Sequence, residues 1–223
     1  MKSNLLRIYF GLGAVYLLII LFRREDAAWF LKPFLLPFLL LSVYQFENFA
    51  TKKILLTALA FSWIGDIILM FADKGELYFI FGLVAFLISH IFYIILFLKQ
   101  KPLDTIKLNR LFWIAAILVL FYLKTMLSLL FPTLDGLKVP VTIYAVTISV
   151  MLIVVLKGYF TWQNAAKYFV LVGAISFVSS DSLLAINKFH SALPNASFWI
   201  MVTYLLAQGL ITFGILKLNR KGI

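Results

Sequence analysis

The chain is a succession of long apolar runs separated by short polar breaks. A bilayer-spanning helix needs about 20 predominantly apolar residues, within a range of roughly 17–25. Eight runs meet that length, over 5–22, 27–45, 54–72, 77–98, 111–131, 139–157, 168–187 and 197–217. The breaks between them are too short to hold a soluble domain. The pattern therefore predicts an all-α fold, a polytopic membrane helix bundle of about eight transmembrane helices forming a single transmembrane domain over 1–223. Composition strengthens this reading, since 64% of the residues are apolar against about 45–50% in a soluble domain.

Charged residues make up only 13% of the chain, so each one bears on topology or chemistry. The net charge of +11 would point to nucleic acid in a soluble protein. In this setting the Lys and Arg residues orient the bundle and meet anionic lipid, and no nucleic-acid partner is expected. Thirteen of the twenty fall on one side of the eight runs and five on the other, with Lys32 and Lys124 inside spans. The positive-inside rule then predicts that both termini are cytoplasmic. The short loops fit a multi-pass protein of a bacterial inner membrane. No small-residue cleavage site follows the first run, which reads as a span rather than a signal peptide. With no cysteine in the chain, disulfides, thiol catalysis and Cys-ligated metal are excluded.

Two carboxylates lie deep within runs: Asp66 in FSWIGDIILMF and Asp181 in FVSSDSLLAINKF. A charge at the centre of a bilayer is expensive, by about 2.5–3.5 kcal/mol on insertion scales, so such residues are functional candidates by default. At 1.5 Å per residue both lie roughly 18–20 Å from the cytoplasmic ends of their spans, at a common depth. Ser62 stands one helical repeat before Asp66 on the same face, and Ser180 immediately precedes Asp181.

Other polar residues reach that level. The second span contains Lys32 with Pro33 and Pro37. The prolines should bend it and open space beside Lys32, which either snorkels to the interface or binds a phosphate headgroup. In the fourth span Gly82, Phe86, His90 and Tyr93 form one stripe, and His90 is the sole histidine within a run. Tyr144 lies on the sixth span, and Tyr204, Gln208 and Thr212 recur every four residues on the eighth. Lys32, Tyr144, Tyr204, Gln208, Asp66 and Asp181 are thus expected around one pocket, with His90 at its floor. Packing offers a plainer account of some of these residues, through interhelical hydrogen bonds for the Tyr204 stripe and close helix approach for Gly11 and Gly13. A weak repeat relates spans 2–4 to spans 6–8, each set carrying a proline, then one Asp helix, then a polar helix.

Paired carboxylates suit general acid–base chemistry on a substrate that passes through an oxocarbenium-like cation. In a membrane that substrate is a lipid with an acid-labile C–O bond. No G-x-S-x-G occurs, and one intramembrane His does not build a His-rich zinc site, so no metal or other cofactor is expected. Trp63 stands where the G-x-G-D pattern of intramembrane aspartyl proteases needs glycine. A lipid or proton-coupled small-molecule transporter using the same aspartates is the alternative.

Six stretches, in order, resemble the lysoplasmalogenase (YhhN-like) family of integral membrane proteins. They are LKPFLLPFLLL (31–41), FSWIGDIILMF (61–71), FGLVAFLISHIFYIILF (81–97), PVTIYAVTISVM (140–151), GAISFVSSDSLLAINKF (173–189) and TYLLAQGLITFG (203–214). The resemblance implies hydrolysis of the vinyl ether bond of lysoplasmalogens to a fatty aldehyde and glycerophospho-ethanolamine or -choline. Lysophospholipid substrate and membrane lipid are then the expected partners. On that reading Asp66 and Asp181 are the catalytic pair, Lys32 meets the phosphate, and Ser62, His90, Tyr93, Tyr144, Ser180, Tyr204 and Gln208 bind substrate or water.

Overall fold

A computed structural model describes residues 4–102, 110–162 and 165–220. Among these residues it contains eight long helices and no strands. They are α1 (Asn4–Leu21), α2 (Glu25–Tyr44), α3 (Lys52–Leu69), α4 (Glu76–Leu98), α5 (Arg110–Leu130), α6 (Lys138–Thr161), α7 (Ala166–Ala185) and α8 (Ala196–Leu218). Each coincides with one apolar run. The largest departure is at α6, which continues one turn beyond the expected end at 157 and stops where Trp162 turns extended. Seven of the eight are long and apolar enough to cross a membrane. The remaining helix, α3, is 18 residues long and carries Lys52, Lys53 and Asp66. The protein is an integral, multi-pass helical membrane protein.

The helices that carry Asp66 and Asp181 each pack most extensively on the helix that follows, α3 on α4 and α7 on α8. Glycines allow this. A Cβ on Gly65 would lie 2.7 Å from the Phe86 ring, and one on Gly82 would lie 2.4 Å from Leu69. On α7 a Cβ at Gly173 would meet the Ile211 backbone nitrogen at 2.9 Å and the Ala207 carbonyl at 3.1 Å. In lipid the chains of neighbouring molecules are as apolar as leucine, so close van der Waals packing of this kind is what holds helices together. Gly11, by contrast, has nothing within 4 Å of its would-be Cβ and plays no packing part, while Gly13 touches Leu205.

Hydrogen bonds add register. Ser89 Oγ donates to the Ala58 carbonyl at 2.8 Å, which leaves Ser62 Oγ to donate to Ser89 at 2.7 Å. The Tyr9 hydroxyl donates to the Leu205 carbonyl at 2.8 Å and ties α1 to α8. Enclosed by α1, α2 and α7, α8 has eleven buried residues, Tyr204, Gln208 and Thr212 among them. The outermost helix, α5, packs mainly on α6 and exposes Trp113, Ile117, Leu118 and Phe121. Such a surface belongs against lipid.

Both prolines of α2 lie inside one continuous helix. Pro37 has no N–H to offer the carbonyl four residues back, that of Pro33. The Trp63 indole on α3 fills the gap, donating to the Pro33 oxygen at 2.8 Å. Trp63→Phe keeps an aromatic ring there but orphans that carbonyl. We expect it to lower the unfolding free energy by about 1–3 kcal/mol, read as a lower denaturation midpoint in detergent.

Candidate active site

Asp66 and Asp181 line one cavity of about 280 Å³ between α2, α3, α4, α7 and α8. Lys32, Ser180 and Tyr204 line it with them, whereas Tyr144, Gln208 and His90, expected around the same pocket, do not. Each carboxylate is held by a phenol from a different helix. The Tyr204 hydroxyl donates to Asp66 Oδ2 at 2.6 Å, and the Tyr144 hydroxyl donates to Asp181 Oδ2 at 2.5 Å. Charge-assisted bonds of this length fix both the position and the rotamer of a carboxylate. In each case the second oxygen, Oδ1, is left for other partners.

Behind Tyr204 the polar residues of α4 and α8 form a relay. Tyr93 donates to Gln208 Oε1 at 2.5 Å, and Gln208 Nε2 reaches the Tyr204 oxygen at 3.4 Å. Tyr93 and Gln208 are fully buried and do not line the cavity. They support Tyr204 rather than face a ligand. Ser62 is also turned away, into its bond with Ser89, and Ser180 donates to the Ile200 carbonyl at 3.0 Å while keeping its place on the cavity wall.

His90 stands behind Asp181. Its Nε2 is 3.6 Å from Asp181 Oδ2, beyond hydrogen-bond distance. The ring is wedged edge-on against Tyr144 and Phe177, with centroids 5.4 and 4.6 Å away. Thr212, the last residue of the α8 stripe, is buried with its hydroxyl unpaired.

The cavity also contains residues that sequence reasoning passed over. Past Ala185, α7 widens into a π-helical turn over Ile186–His190. Turns of this kind insert an extra residue per turn and recur at functional sites. Here the turn brings Asn187 and Lys188 to the cavity wall, with the Lys188 ammonium 5.0 Å from the centre of the Phe79 ring. Counted by sequence alone, Lys188 is a topology charge. Its place on the same cavity as Asp181 is legible only as a spacing of seven residues, two turns of helix. Tyr122 and Ser182, hydrogen-bonded to one another between α5 and α7, were likewise not singled out. Among the described residues, no three of His, Cys, Asp and Glu gather as a metal site requires.

A multi-helix membrane protein with three carboxylates, two of them phenol-held, and two lysines around one cavity is the class that the fold and site define. Residues 27–215 match the model of the YhhN family, and the chain belongs to that family. The human lysoplasmalogenase TMEM86A is 33% identical over 165 residues, covering 69% of this chain and 61% of the relative. The bovine lysoplasmalogenase TMEM86A is 28% identical over the same length. A lysoplasmalogenase of Mycobacterium tuberculosis (strain CDC 1551 / Oshkosh) is 32% identical over 142 residues, 61% of this chain and 50% of the relative. The chain thus spans between half and about three fifths of the curated relatives it matches. No solved structure matches it significantly.

Proposed function

We propose that this protein is a lysoplasmalogenase, hydrolysing the vinyl ether bond of lysoplasmalogens within the membrane. The observation that carries the proposal is the pair of carboxylates on one cavity, Asp66 buried and Asp181 partly buried, each held by a tyrosine, in a chain whose relatives bear that name.

The chemistry follows from the substrate. A vinyl ether is protonated at its β-carbon, not at oxygen, and becomes an oxocarbenium ion. In the proposed cycle one of Asp66 and Asp181 gives that proton as the general acid. The other, ionised, lies beside the cation and takes a proton from a water molecule as the water's oxygen bonds to the cationic carbon. The resulting hemiacetal expels the glycerol oxygen, which leaves as a hydroxyl, and the fatty aldehyde remains. One water is consumed: its hemiacetal hydroxyl proton leaves on the glycerol oxygen, and the proton taken by the second aspartate passes to the first, which restores the pair. General acid–base assistance of this kind is worth about 10²–10⁴ in rate, and a carboxylate beside a developing cation adds electrostatic stabilisation.

Lys32 and Lys188 supply positive charge on the same cavity wall, suited to the phosphate of a lysophospholipid. Tyr93 and Gln208 keep Tyr204, and through it Asp66, in register. His90 packs against Tyr144 and limits how far Asp181 moves. Lys32→Gln is expected to raise KM by about tenfold, with a smaller change in kcat, because it removes a charge-assisted contact made equally in ground and transition states. Steady-state kinetics on a lysoplasmalogen check this.

The function itself is tested by incubating the purified protein with a lysoplasmalogen and with its saturated ether analogue. Fatty aldehyde from the vinyl ether and none from the saturated ether is the expected result. A folded protein that releases no aldehyde from either overturns the proposal.

A further inference from the structure

A second cavity touches the first at Asp181. It lies between α4, α5, α6 and α7 and is lined by Leu83, Met126, Tyr144, Ile148, Asp181 and Leu184 among others. Asp181, Leu184 and Phe79 line both cavities, so the carboxylate stands at the junction of a polar chamber and an apolar slot. Few polar groups face the slot and they are spent on each other. Ser149 Oγ donates to the Ala145 carbonyl, Ser182 Oγ donates to the Val178 carbonyl, and Tyr122 therefore donates to Ser182. Beyond Tyr122 and Ser182 a groove of about 470 Å³ opens on the outer face between α5 and α7, and those two residues line both spaces.

Resting on the lysoplasmalogenase reading, we infer that the slot between α4, α5, α6 and α7 holds the single hydrocarbon chain of the lipid substrate, with the Tyr122–Ser182 pair as the partition between slot and lipid. The headgroup then occupies the chamber of Lys32 and Lys188, and the bond between chain and glycerol falls at Asp181. Continuity of the two cavities at that residue argues for one ligand spanning both, charged at one end and apolar at the other. The slot gains little from hydrophobic transfer, because the chain leaves a lipid phase that is already apolar. What it supplies is order: a chain confined in the slot presents its first two carbons to Asp181 in one geometry.

The test uses a lysophosphatidylethanolamine with a photoactivatable diazirine in the distal half of its chain, irradiated with the full-length protein in lipid nanodiscs. Adducts on the α4, α5, α6 and α7 residues of the slot are expected, Met126 and Ile148 among them. Ala145→Phe, which fills the slot, is expected to reduce those adducts and to lower the ratio of kcat/KM for long-chain over short-chain vinyl ethers by about tenfold or more. Met126→Ala, which widens the slot without crowding the fold, is expected to shift kcat/KM towards methyl-branched chains by about tenfold. Adducts spread over the outer faces of α1 and α2, or adducts and chain preference unmoved by either variant, overturn the inference. Slot adducts in a protein that releases no aldehyde would uphold the chain site and remove only the hydrolase reading. Aldehyde release with adducts elsewhere would do the reverse.

Discussion

Asp66→Asn and Asp181→Asn proteins are expected to fold as the parent does and to lose vinyl ether hydrolysis by about 10²–10⁴ each. The substitution is nearly isosteric. An amide oxygen still accepts the hydroxyl of Tyr204 or Tyr144, so the bonds that fix each side chain survive. What disappears is a carboxyl that can give a proton and a carboxylate that can stand beside a cation. Because the two act in one cycle, the double variant should be little worse than the worse single variant. Rates of aldehyde release from the three proteins check both statements. Either single variant retaining full activity would exclude that aspartate from the chemistry.

Gly173→Leu is expected to destabilise the bundle by at least about 3 kcal/mol and to abolish activity with it. Even a Cβ at this position approaches the Ile211 nitrogen and the Ala207 carbonyl, which are backbone atoms and cannot rotate away. The only response open to the protein is separation of α7 from α8. Asp181 lies eight residues along α7 from Gly173, about 12 Å away, and Tyr204 is on α8, so the separation would pull the two halves of the site apart. Thermal denaturation in detergent measures the loss. Gly11→Ala, at a position open to its surroundings, should leave the midpoint unchanged and serves as the contrast. A Gly173→Leu protein as stable as the parent would contradict the close crossing of α7 and α8.

Helix positions were legible because each span is a long apolar run ended by charge or a polar break. Depth was legible too, since rise per residue is constant. Lys32, Tyr144, Tyr204, Gln208, Asp66 and Asp181 were therefore expected around one pocket with His90 at its floor; Lys32, Tyr204, Asp66 and Asp181 meet in one cavity, whereas Tyr144, Gln208 and His90 are not on its wall. Azimuth was much harder to read. In a soluble helix the apolar stripe marks the buried face, whereas a helix in lipid is apolar all round. Nothing in the pattern told that Ser62 turns to Ser89, or that Tyr93 and Gln208 bond to one another behind Tyr204. Tyr122 was hidden for the same reason: a phenol in an apolar run gives no sign of its partner. Lys188 was missed because a regular helix was assumed up to residue 187, and the π-helical turn that carries the lysine to the cavity leaves no mark on hydropathy. The prolines of α2 are a further case. A bend was expected, but the sequence did not reveal that Trp63 on another helix would satisfy the carbonyl that Pro37 leaves free.

The most direct test of the two-aspartate mechanism is hydrolysis of a lysoplasmalogen in deuterium oxide, with the aldehyde reduced at once and analysed by mass spectrometry. Protonation at carbon predicts one deuterium on the carbon next to the carbonyl in the product of the parent protein. Asp66→Asn and Asp181→Asn should yield little product above the enzyme-free blank. Aldehyde without that deuterium, or labelled aldehyde released at the parental rate by both variants, would contradict the account.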